Sequence, residues 1–268
     1  MEQWRLIPYG KNDAFCNMAI DEAIACCVND GLSPPTLRFY GWLLPSVSIG
    51  AFQGSNCIDH QWCAQRGVAV VRRPTGGRAV VHDDELTYSF TANLDNGFFT
   101  KSVLNNHKMV NSVFYRALRR LGLEVDFTEG RLDRRGLLSK SLCFASTSYG
   151  EVSAGGKKVI GAAQRRYANG FIEQGSMPLS VDRELVAGAL RVNDTLPSDC
   201  KERSEDILAG LTAISDSVEI SNIIDTVRDC FEESFGVTLN PAALTPQEDR
   251  LTQQLLLKYR SEGWTHRR

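Results

Sequence analysis

Long apolar runs are missing from this 268-residue sequence. No uninterrupted stretch approaches the ~18 apolar residues of a membrane-spanning helix. Residues 1–5 do not resemble the start of a secretory signal. We therefore expect a cytoplasmic protein that does not enter a membrane.

An excess of either charge is also missing. Lys and Arg total 30 against 32 for Asp and Glu, which gives a formal net charge of -2. Non-specific binding to nucleic acid or to an anionic membrane needs a clear basic excess, so neither partner is expected. The hydrophobic content of 43% is ordinary for a globular protein with a substantial core.

Metal-binding and nucleotide-binding motifs are missing as well. Cys57 and Cys63, with His60 between them, come nearest to a zinc site, but no second CxxC or HxxxH supplies the remaining ligands. No metal is therefore predicted, and the eight irregularly spaced cysteines are expected to be reduced thiols. There is no GxxxxGK[ST], GxGxxG or GxSxG, and no Ser/His/Asp arrangement is visible.

The order of periodic segments predicts a mixed sheet with helices on it, followed by a helical end. One catalytic unit is favoured over two domains. Helices are predicted at residues 12–30, 108–121, 183–190, 204–211, 220–235 and 247–259. Strands are predicted at residues 36–40, 46–50, 68–71, 85–93, 124–127, 142–144, 150–153 and 158–164, with a turn at 154–157.

A basic, glycine-rich loop follows the apolar run at residues 68–71. Adjacent Gly76 and Gly77 let backbone N–H groups approach a ligand closely. Arg72, Arg73 and Arg78 add positive charge around them. A plain loop with solvated arginines has the same pattern, and spacing alone does not choose between the two.

The residues after this loop are open to two interpretations. His82 has either a structural or a chemical role, because a single histidine is often merely structural. The acidic run at residues 83–85 is expected to form a solvated turn, with general acid–base work as the minor alternative.

Cys143 and Lys158 are candidates for acyl-transfer chemistry. A thiol between Leu142 and Phe144 is more often buried and inert, and a reactive cysteine needs a neighbouring cation or base. Lys158 follows the glycine turn and can point back towards residue 143. The alternative is that Lys157 and Lys158 are both surface charges.

Several ordered motifs resemble the lipoate–protein ligase/octanoyltransferase superfamily, which is related to the biotin–protein ligases. These motifs are residues 17–22, 37–53, 72–82 and 156–164. The resemblance implies an α+β fold of mixed, mostly antiparallel sheets flanked by helices, with a helical C-terminal end. Residues 1–240 would form the biotin/lipoate ligase-like catalytic domain, and residues 241–268 a helical extension of the same domain.

Within that superfamily, two features favour the cysteine-dependent octanoyltransferases of Gram-positive type. ATP-dependent ligases usually carry a third glycine where this chain has Arg78. Cys143 falls where the octanoyltransferases keep their acyl-accepting thiol. The chain departs from the family at Ala162, where a serine is common, and at residues 173–176, where Glu-Gln-Gly-Ser replaces the more usual Gln-His-Gly-Ser.

The resemblance implies octanoyl transfer from octanoyl-acyl carrier protein, through a thioester on Cys143, to a lysine of glycine-cleavage H protein or a lipoyl domain. Lys158 would assist, and the enzyme would act as a monomer without a cofactor. The residues implied in substrate binding are Arg72, Arg73, Thr75, Gly76, Gly77, Arg78, His82, Gly161, Ala162 and Ala163.

Three alternatives stay open at this point. An ATP-dependent lipoate–protein ligase needs no cysteine nucleophile. Transfer of octanoyl from H protein to other lipoyl domains uses the same chemistry with another donor. A catalytically dead acyl-binding or acceptor-binding module would keep the fold without the reaction.

Overall fold

The structure is a computed structural model that describes residues 1–128, 150–190, 209–215 and 218–267. The predicted strand at 142–144, which holds Cys143, and most of the predicted helix at 204–211 lie outside the described residues. The strands are β1 (Glu2–Asn12), β2 (Thr36–Trp42), β3 (Ser46–Ile49), β4 (Ala69–Arg72), β5 (Val80–His82), β6 (Glu85–Asn93), β7 (Asp126–Phe127), β8 (Val152–Ala154), β9 (Lys157–Arg166), β10 (Gly170–Pro178) and β11 (Val237–Pro241). The α-helices are α1 (Ala14–Asn29), α2 (His60–Arg66), α3 (Val103–Arg120), α4 (Arg183–Ala189), α5 (Ile220–Phe235), α6 (Pro246–Tyr259) and α7 (Glu262–Thr265), with short 3-10 turns at Ser55–Cys57 and Leu211–Ala213.

The strands of the described residues form two sheets. The larger has eight strands in the order β11-β1-β2-β6-β10-β9-β8-β7, and the smaller has three in the order β4-β3-β5. Strand β1 pairs in parallel with β2 and β11, and β3 pairs in parallel with β4, whereas the remaining pairs are antiparallel. The predicted fold class, mixed and mostly antiparallel sheets with helices, is confirmed.

Helices cover both faces of the eight-stranded sheet. On one face, α3 and α5 pack against the sheet around an aromatic core that includes Trp4, Phe90, Phe114 and Phe231. On the other face, α1 packs against α6, and Met18 of α1 joins Tyr40, Trp42 and Tyr259 in a second cluster. The three-stranded sheet lies beside α1 and buries its own apolar residues under α2 and α4.

Two of the strongly periodic helices, α1 and α5, were predicted to within about two residues at each end. Helix α5 has the predicted bounds, and α1 begins at Ala14 because the Asp13 side chain accepts a hydrogen bond of 2.6 Å from the Cys16 backbone N–H. The helix predicted at 108–121 begins earlier, at Val103, where Ser102 caps it. Within the described residues, no helix is long and apolar enough to cross a bilayer.

Candidate active site

A cavity that is partly open to solvent lies between the two sheets. Strands β2, β6, β9 and β10 form one wall, β3 and β5 form the other, and Met18 of α1 closes the space between them. Gly175 of β10 leaves room for Tyr88 in the core behind this wall, because a Cβ there would lie 2.2 Å from Cε1 of Tyr88.

Half of the predicted substrate-binding residues reach this cavity together with Lys158. They come from the loop after β4, from β5 and from β9, which are distant in the chain. The predicted residues that line the cavity are Arg73, His82, Lys158, Gly161, Ala162 and Ala163.

The glycine-rich loop closes tightly against the end of β3. Gly77 has a φ of 83°, a conformation that side chains other than glycine rarely adopt. A Cβ on Gly50 would lie 1.9 Å from the Gly77 carbonyl oxygen. Gly77 is thus required by its backbone conformation, and Gly50 by the close approach of the loop.

The buried guanidinium of Arg73 stabilises the same loop through hydrogen bonds. Its Nη2 donates to the carbonyl oxygens of Gly76 at 2.6 Å and Arg78 at 2.7 Å. Its Nη1 donates to the backbone oxygen of Ser48 at 3.0 Å and to the Ser48 hydroxyl at 3.1 Å. The loop conformation therefore depends on the Arg73 side chain, which also brings a positive charge to the cavity wall.

Thr75 joins the loop to the opposite wall. Its hydroxyl donates to Oε1 of Gln174 at 2.8 Å, and Nε2 of Gln174 donates to Asp21 Oδ2 of α1 at 2.7 Å. Gln174 lines the cavity and is the residue that stands where the family more usually has histidine. The side-chain amide of Gln174 thus links the loop, β10 and α1, because it accepts one hydrogen bond and donates another.

Arg72 is not among the residues that line the cavity. Its buried guanidinium donates to the carbonyl oxygens of Gly50 (2.7 Å), Gln53 (2.6 Å), Thr265 (2.8 Å) and Arg267 (3.1 Å). Arg72 therefore holds the C-terminal segment against the loop region.

Lys158 lies on the second strand of the predicted hairpin. The turn is made by Gly155 and Gly156, with φ values of 54° and 76°, as the sequence predicted. The largely buried Lys158 side chain forms an ion pair with Glu151 at the cavity wall. Cys143 lies outside the described residues, so its pairing with Lys158 stays a prediction.

The prediction of a solvated turn at residues 83–85 is wrong for Glu85. Asp83 and Asp84 are exposed, but β6 begins at Glu85 and turns its carboxylate inward. There Glu85 Oε1 lies 2.8 Å from His82 Nδ1, and His82 Nε2 lies 2.7 Å from the Ser48 hydroxyl. A Ser/His/Glu arrangement therefore exists, although no pattern in the sequence revealed it.

Glu85 is ionised despite its burial. Burial raises the pKa of this carboxyl, but the charge and hydrogen bond of His82, with hydroxyl donors on Ser176 and Thr87, outweigh it and leave the pKa below the usual value. Trp42 Nε1 adds a further donor at 3.0 Å. The carboxylate is thus fully surrounded by donors.

Ser48 and Gln174 are among the polar cavity residues that sequence reasoning missed. Each is a polar residue inside a buried strand, and polar groups in such positions are normally hydrogen-bonded to something specific. Gln174 and Ser176 alternate along β10 and point to the same face. That alternation was the available signal, but it required recognising β10 as a strand.

The cysteines in the described ranges are free thiols without an activating environment. Burial raises the pKa of each, to about 11 for Cys26 and Cys63. The others are Cys16, Cys27, Cys57 and Cys230. Raised pKa values make these thiols poor nucleophiles at neutral pH.

The sequence profile of the lipoyl protein ligase A/B catalytic domain matches residues 13–236. The chain therefore belongs to this family, which confirms the resemblance found in the sequence. Two curated relatives are similar over the full length of both chains. The octanoyltransferase LipM of Kyrpidia tusciae is 37% identical, covering 100% of this chain and 100% of the relative. The octanoyltransferase LipM of Moorella thermoacetica is 34% identical, covering 100% and 99%.

Solved structures share the fold. A crystal structure of lipoate-protein ligase A bound with ATP superposes with a TM-score of 0.81 at 25% identity, covering 99% of each chain. A chain from a structure of the bi-partite lipoate protein ligase and its E2 lipoyl domain from Thermoplasma acidophilum superposes on this chain with a TM-score of 0.82 at 25% identity. The match covers 99% of this chain and 96% of the other.

Proposed function

We propose that this chain is an octanoyltransferase that acts in protein lipoylation. The octanoyl group passes from octanoyl-acyl carrier protein to a thioester on Cys143, and then to a lysine of glycine-cleavage H protein or a lipoyl domain. The observation that carries the proposal is the full-length similarity to curated octanoyltransferases, at 37% and 34% identity. The proposal also has the enzyme act in the cytoplasm, as a monomer and without a cofactor.

Two observations support Cys143 as the nucleophile. The thiols in the described ranges all have raised pKa values, so none of them is prepared for attack on a thioester. Lys158, the cation that the family resemblance pairs with this cysteine, lines the cavity and is held there by Glu151. A cation at that wall can favour a thiolate and stabilise developing negative charge.

The chemistry has two steps. In the first, the Cys143 thiolate attacks the thioester carbonyl of the donor, and the donor's thiolate leaves. In the second, the uncharged amine of the acceptor lysine attacks the octanoyl-enzyme, forms the amide and releases the Cys143 thiolate. The octanoyl group binds through apolar contacts, and each buried CH₂ contributes about 0.8 kcal/mol to the free energy of binding.

An ATP-dependent ligase is the second candidate. It is favoured by the structural likeness to lipoate-protein ligase A bound with ATP, with a TM-score of 0.81. A ligase activates a free acid as an adenylate and does not need Cys143. The three functions therefore differ in their donor. The transferase uses octanoyl-acyl carrier protein, the ligase uses the free acid with ATP, and the remaining alternative uses octanoyl-H protein.

The test compares donors with one acceptor. The purified chain and its Cys143→Ala variant are each given H protein with octanoyl-acyl carrier protein alone, or with free octanoate, ATP and Mg²⁺. We expect octanoyl-H protein only with the carrier-protein donor and only in the unchanged chain. Product from octanoate and ATP in both proteins would instead identify a ligase. Product under neither condition would leave transfer from H protein to other lipoyl domains or a binding module.

A further inference from the structure

A group of basic side chains lies where the turn after β3 meets helix α2 and the C-terminal segment. The rings of His60 and His266 have centroids 4.7 Å apart. His60 Nε2 lies 3.0 Å from the Ser55 carbonyl oxygen, and His266 Nδ1 lies 3.4 Å from the Ser55 hydroxyl. Arg267 Nη2 donates to the carbonyl oxygen of Ala51 at 3.2 Å. These three side chains, the basic cluster, therefore contact the same turn.

The positive charge of the basic cluster has no counter-ion within the chain. Among the described residues, no carboxylate forms an ion pair with His60, His266 or Arg267. The buried guanidinium of Arg72 beneath them bonds only to carbonyl oxygens of these residues. Burial, and after it the charge of Arg267, lower the pKa of Arg72, as expected where positive charges lie together. An anion from another molecule would thus be attracted here.

The acidic residues closest in sequence do not change this balance. Asp59 precedes His60 and caps α2, where its side chain accepts a hydrogen bond of 2.9 Å from the Trp62 backbone N–H. Glu262, at the start of α7, is exposed and forms no ion pair within the described ranges. The basic cluster therefore keeps a net positive charge.

The basic cluster also retains hydrogen-bond donors that the described part of the chain does not use. Arg267 stacks on Trp264, with its guanidinium carbon 3.6 Å from the ring centroid, and this contact fixes the guanidinium plane. Apart from the bond to Ala51, its N–H groups have no acceptor among the described residues. His60 donates through Nε2, which leaves Nδ1 available. A guanidinium and two imidazoles so placed suit the oxygens of a phosphate group.

An exposed aromatic ring lies in the same turn. Phe52 is 93% exposed and follows Ala51, to which Arg267 bonds. Single exposed apolar residues are common, but aromatic and arginine side chains together are enriched where proteins meet their partners. The turn therefore has the composition of a docking surface.

This surface borders the cavity. The Ala51 backbone N–H donates to the Thr75 carbonyl oxygen of the glycine-rich loop at 2.8 Å. The Thr75 hydroxyl in turn donates to Gln174, which lines the cavity. Only the glycine-rich loop thus separates the turn from the cavity, so a molecule bound at the basic cluster can extend a flexible arm over that loop.

We propose that the basic cluster and Phe52 dock the acyl carrier protein donor. His60, His266 and Arg267 bind the phosphodiester that joins the carrier to its prosthetic arm, and the arm extends into the cavity. The proposal rests on the function proposed above, in which the octanoyl thioester of this arm is the donor. Docking itself involves no covalent step.

Charge favours the donor over the acceptor at this surface. The phosphodiester of a phosphopantetheine arm is an anion at neutral pH, and guanidinium and imidazolium groups bind its oxygens through charge-assisted hydrogen bonds. The acceptor presents a lysine, which is a cation at neutral pH and is repelled by a positive surface. The surface therefore suits only one of the two protein substrates.

The test measures binding of analogues that cannot transfer their octanoyl group. Octanoyl-pantetheine with an amide in place of the thioester is compared with its phosphate ester, so that the two ligands differ only in the phosphate. Dissociation constants are measured by calorimetry for the unchanged chain and for Arg267→Gln, His60→Gln and His266→Gln. Arg250→Gln is the matched control, because Arg250 is exposed on α6 and bonds to Gln247.

We expect the unchanged chain and the Arg250→Gln control to bind the phosphate ester about 10- to 100-fold more tightly than the unphosphorylated analogue. High salt should weaken this preference. In Arg267→Gln the preference should fall to about threefold or less, and each histidine variant should lose part of it. Affinity for the unphosphorylated analogue should stay the same in every variant, since the cavity is unchanged.

Carrier protein with the same amide-linked octanoyl arm extends the test to Phe52. Phe52→Ser should weaken its binding by about tenfold, because an aromatic contact is lost from the interface. Leu257→Ser is the control, since Leu257 is also exposed (78%) but belongs to α6. Equal affinities for these two variants would remove Phe52 from the docking surface.

Two results would overturn the phosphodiester site. One is a lack of preference for the phosphate ester in the unchanged chain, and the other is a preference that survives in Arg267→Gln. Because the analogues do not react, these results are independent of catalysis. A clear phosphate preference without transfer from octanoyl-acyl carrier protein to H protein would keep the site and refute the proposed function. Transfer without a phosphate preference would do the reverse.

Discussion

At the scale of single residues, neighbours in the chain have different surroundings. Lys157 pairs with Ala154 at the glycine turn, whereas Lys158 is directed to the cavity and forms an ion pair with Glu151. The sequence analysis selected Lys158 because it follows the glycine turn, and the family resemblance selected the same lysine. The register of a two-residue turn decides which side chain reaches the site.

Replacing Lys158 with Met should abolish most octanoyl transfer. We expect a loss of about 10²- to 10³-fold in kcat, the size of effect seen when one stabilising group is removed from a site where charge develops. Lys157→Met is the matched control and should transfer octanoyl at the unchanged rate. Equal rates for both variants would show that Lys158 has no part in the chemistry.

Single residues also show where sequence reasoning stops. Arg73 and His82 could be placed at the cavity from a motif, but Arg72 could not be separated from Arg73. Its partners include the carbonyls of Thr265 and Arg267, which are far away in the chain. The burial of Glu85 was hidden for the same reason, because these donors come from three other strands, β2, β5 and β10.

At the scale of elements, periodicity identified the helices better than the strands. Strand β1 was missed because Trp4 to Ile7 are all buried, with no alternation to read, and Pro8 coincides with a register shift between Ile7 and Gly10. Strand β10 is likewise buried along its whole length. Strands that are buried on both faces are determined by the elements packed against them. The sequence of the strand alone shows no alternation of apolar and polar residues from which it could be predicted.

The start of α6 illustrates a local signal with a long-range partner. Thr245 and Glu248 form a capping box, and Glu248 also binds Arg5 of β1 through hydrogen bonds of 2.5 and 2.7 Å and accepts from Ser33 at 2.8 Å. Burial raises the pKa of Glu248, but these donors outweigh it and hold the pKa below its usual value. The carboxylate therefore ties the C-terminal helix to the sheet.

Glu248→Gln should lower the free energy of unfolding by about 3–5 kcal/mol at neutral pH, because Arg5 is left buried without its charge partner. A carboxyl with a lowered folded pKa stabilises above its unfolded pKa of about 4.3, and this contribution is lost as pH falls through the folded pKa. The difference between the two proteins in urea unfolding should therefore shrink below about pH 4. Exposed Glu262→Gln is the control, and a difference that stayed constant with pH would contradict this account.

At the scale of the whole molecule, the two ends of the chain close on each other. Strand β11 pairs with β1 at the edge of the large sheet, and α6 packs against α1. Residues after 240 therefore complete the surroundings of Met18 and Trp42 at the cavity. The sequence analysis predicted that this segment extends the same domain. The packing of the segment around Met18 and Trp42 indicates that the cavity depends on it.

Arg72→Met tests whether that closure is structural. Losing the bonds to the carbonyls of Gly50, Gln53 and residues 264, 265 and 267 should lower the free energy of unfolding by about 3 kcal/mol or more. The KM for octanoyl-acyl carrier protein should stay the same in the folded fraction. Arg66→Met is the control, since Arg66 is exposed. A raised KM with unchanged stability would instead show that Arg72 binds substrate, as the resemblance implied.

The most direct measurement is the intact mass of the chain after mixing with octanoyl-acyl carrier protein in the absence of ATP. The account predicts a gain of one octanoyl group, removed by hydroxylamine, absent in Cys143→Ser and still present in the Cys57→Ser control. No adduct, or an adduct that persists in Cys143→Ser, would contradict the thioester route on Cys143.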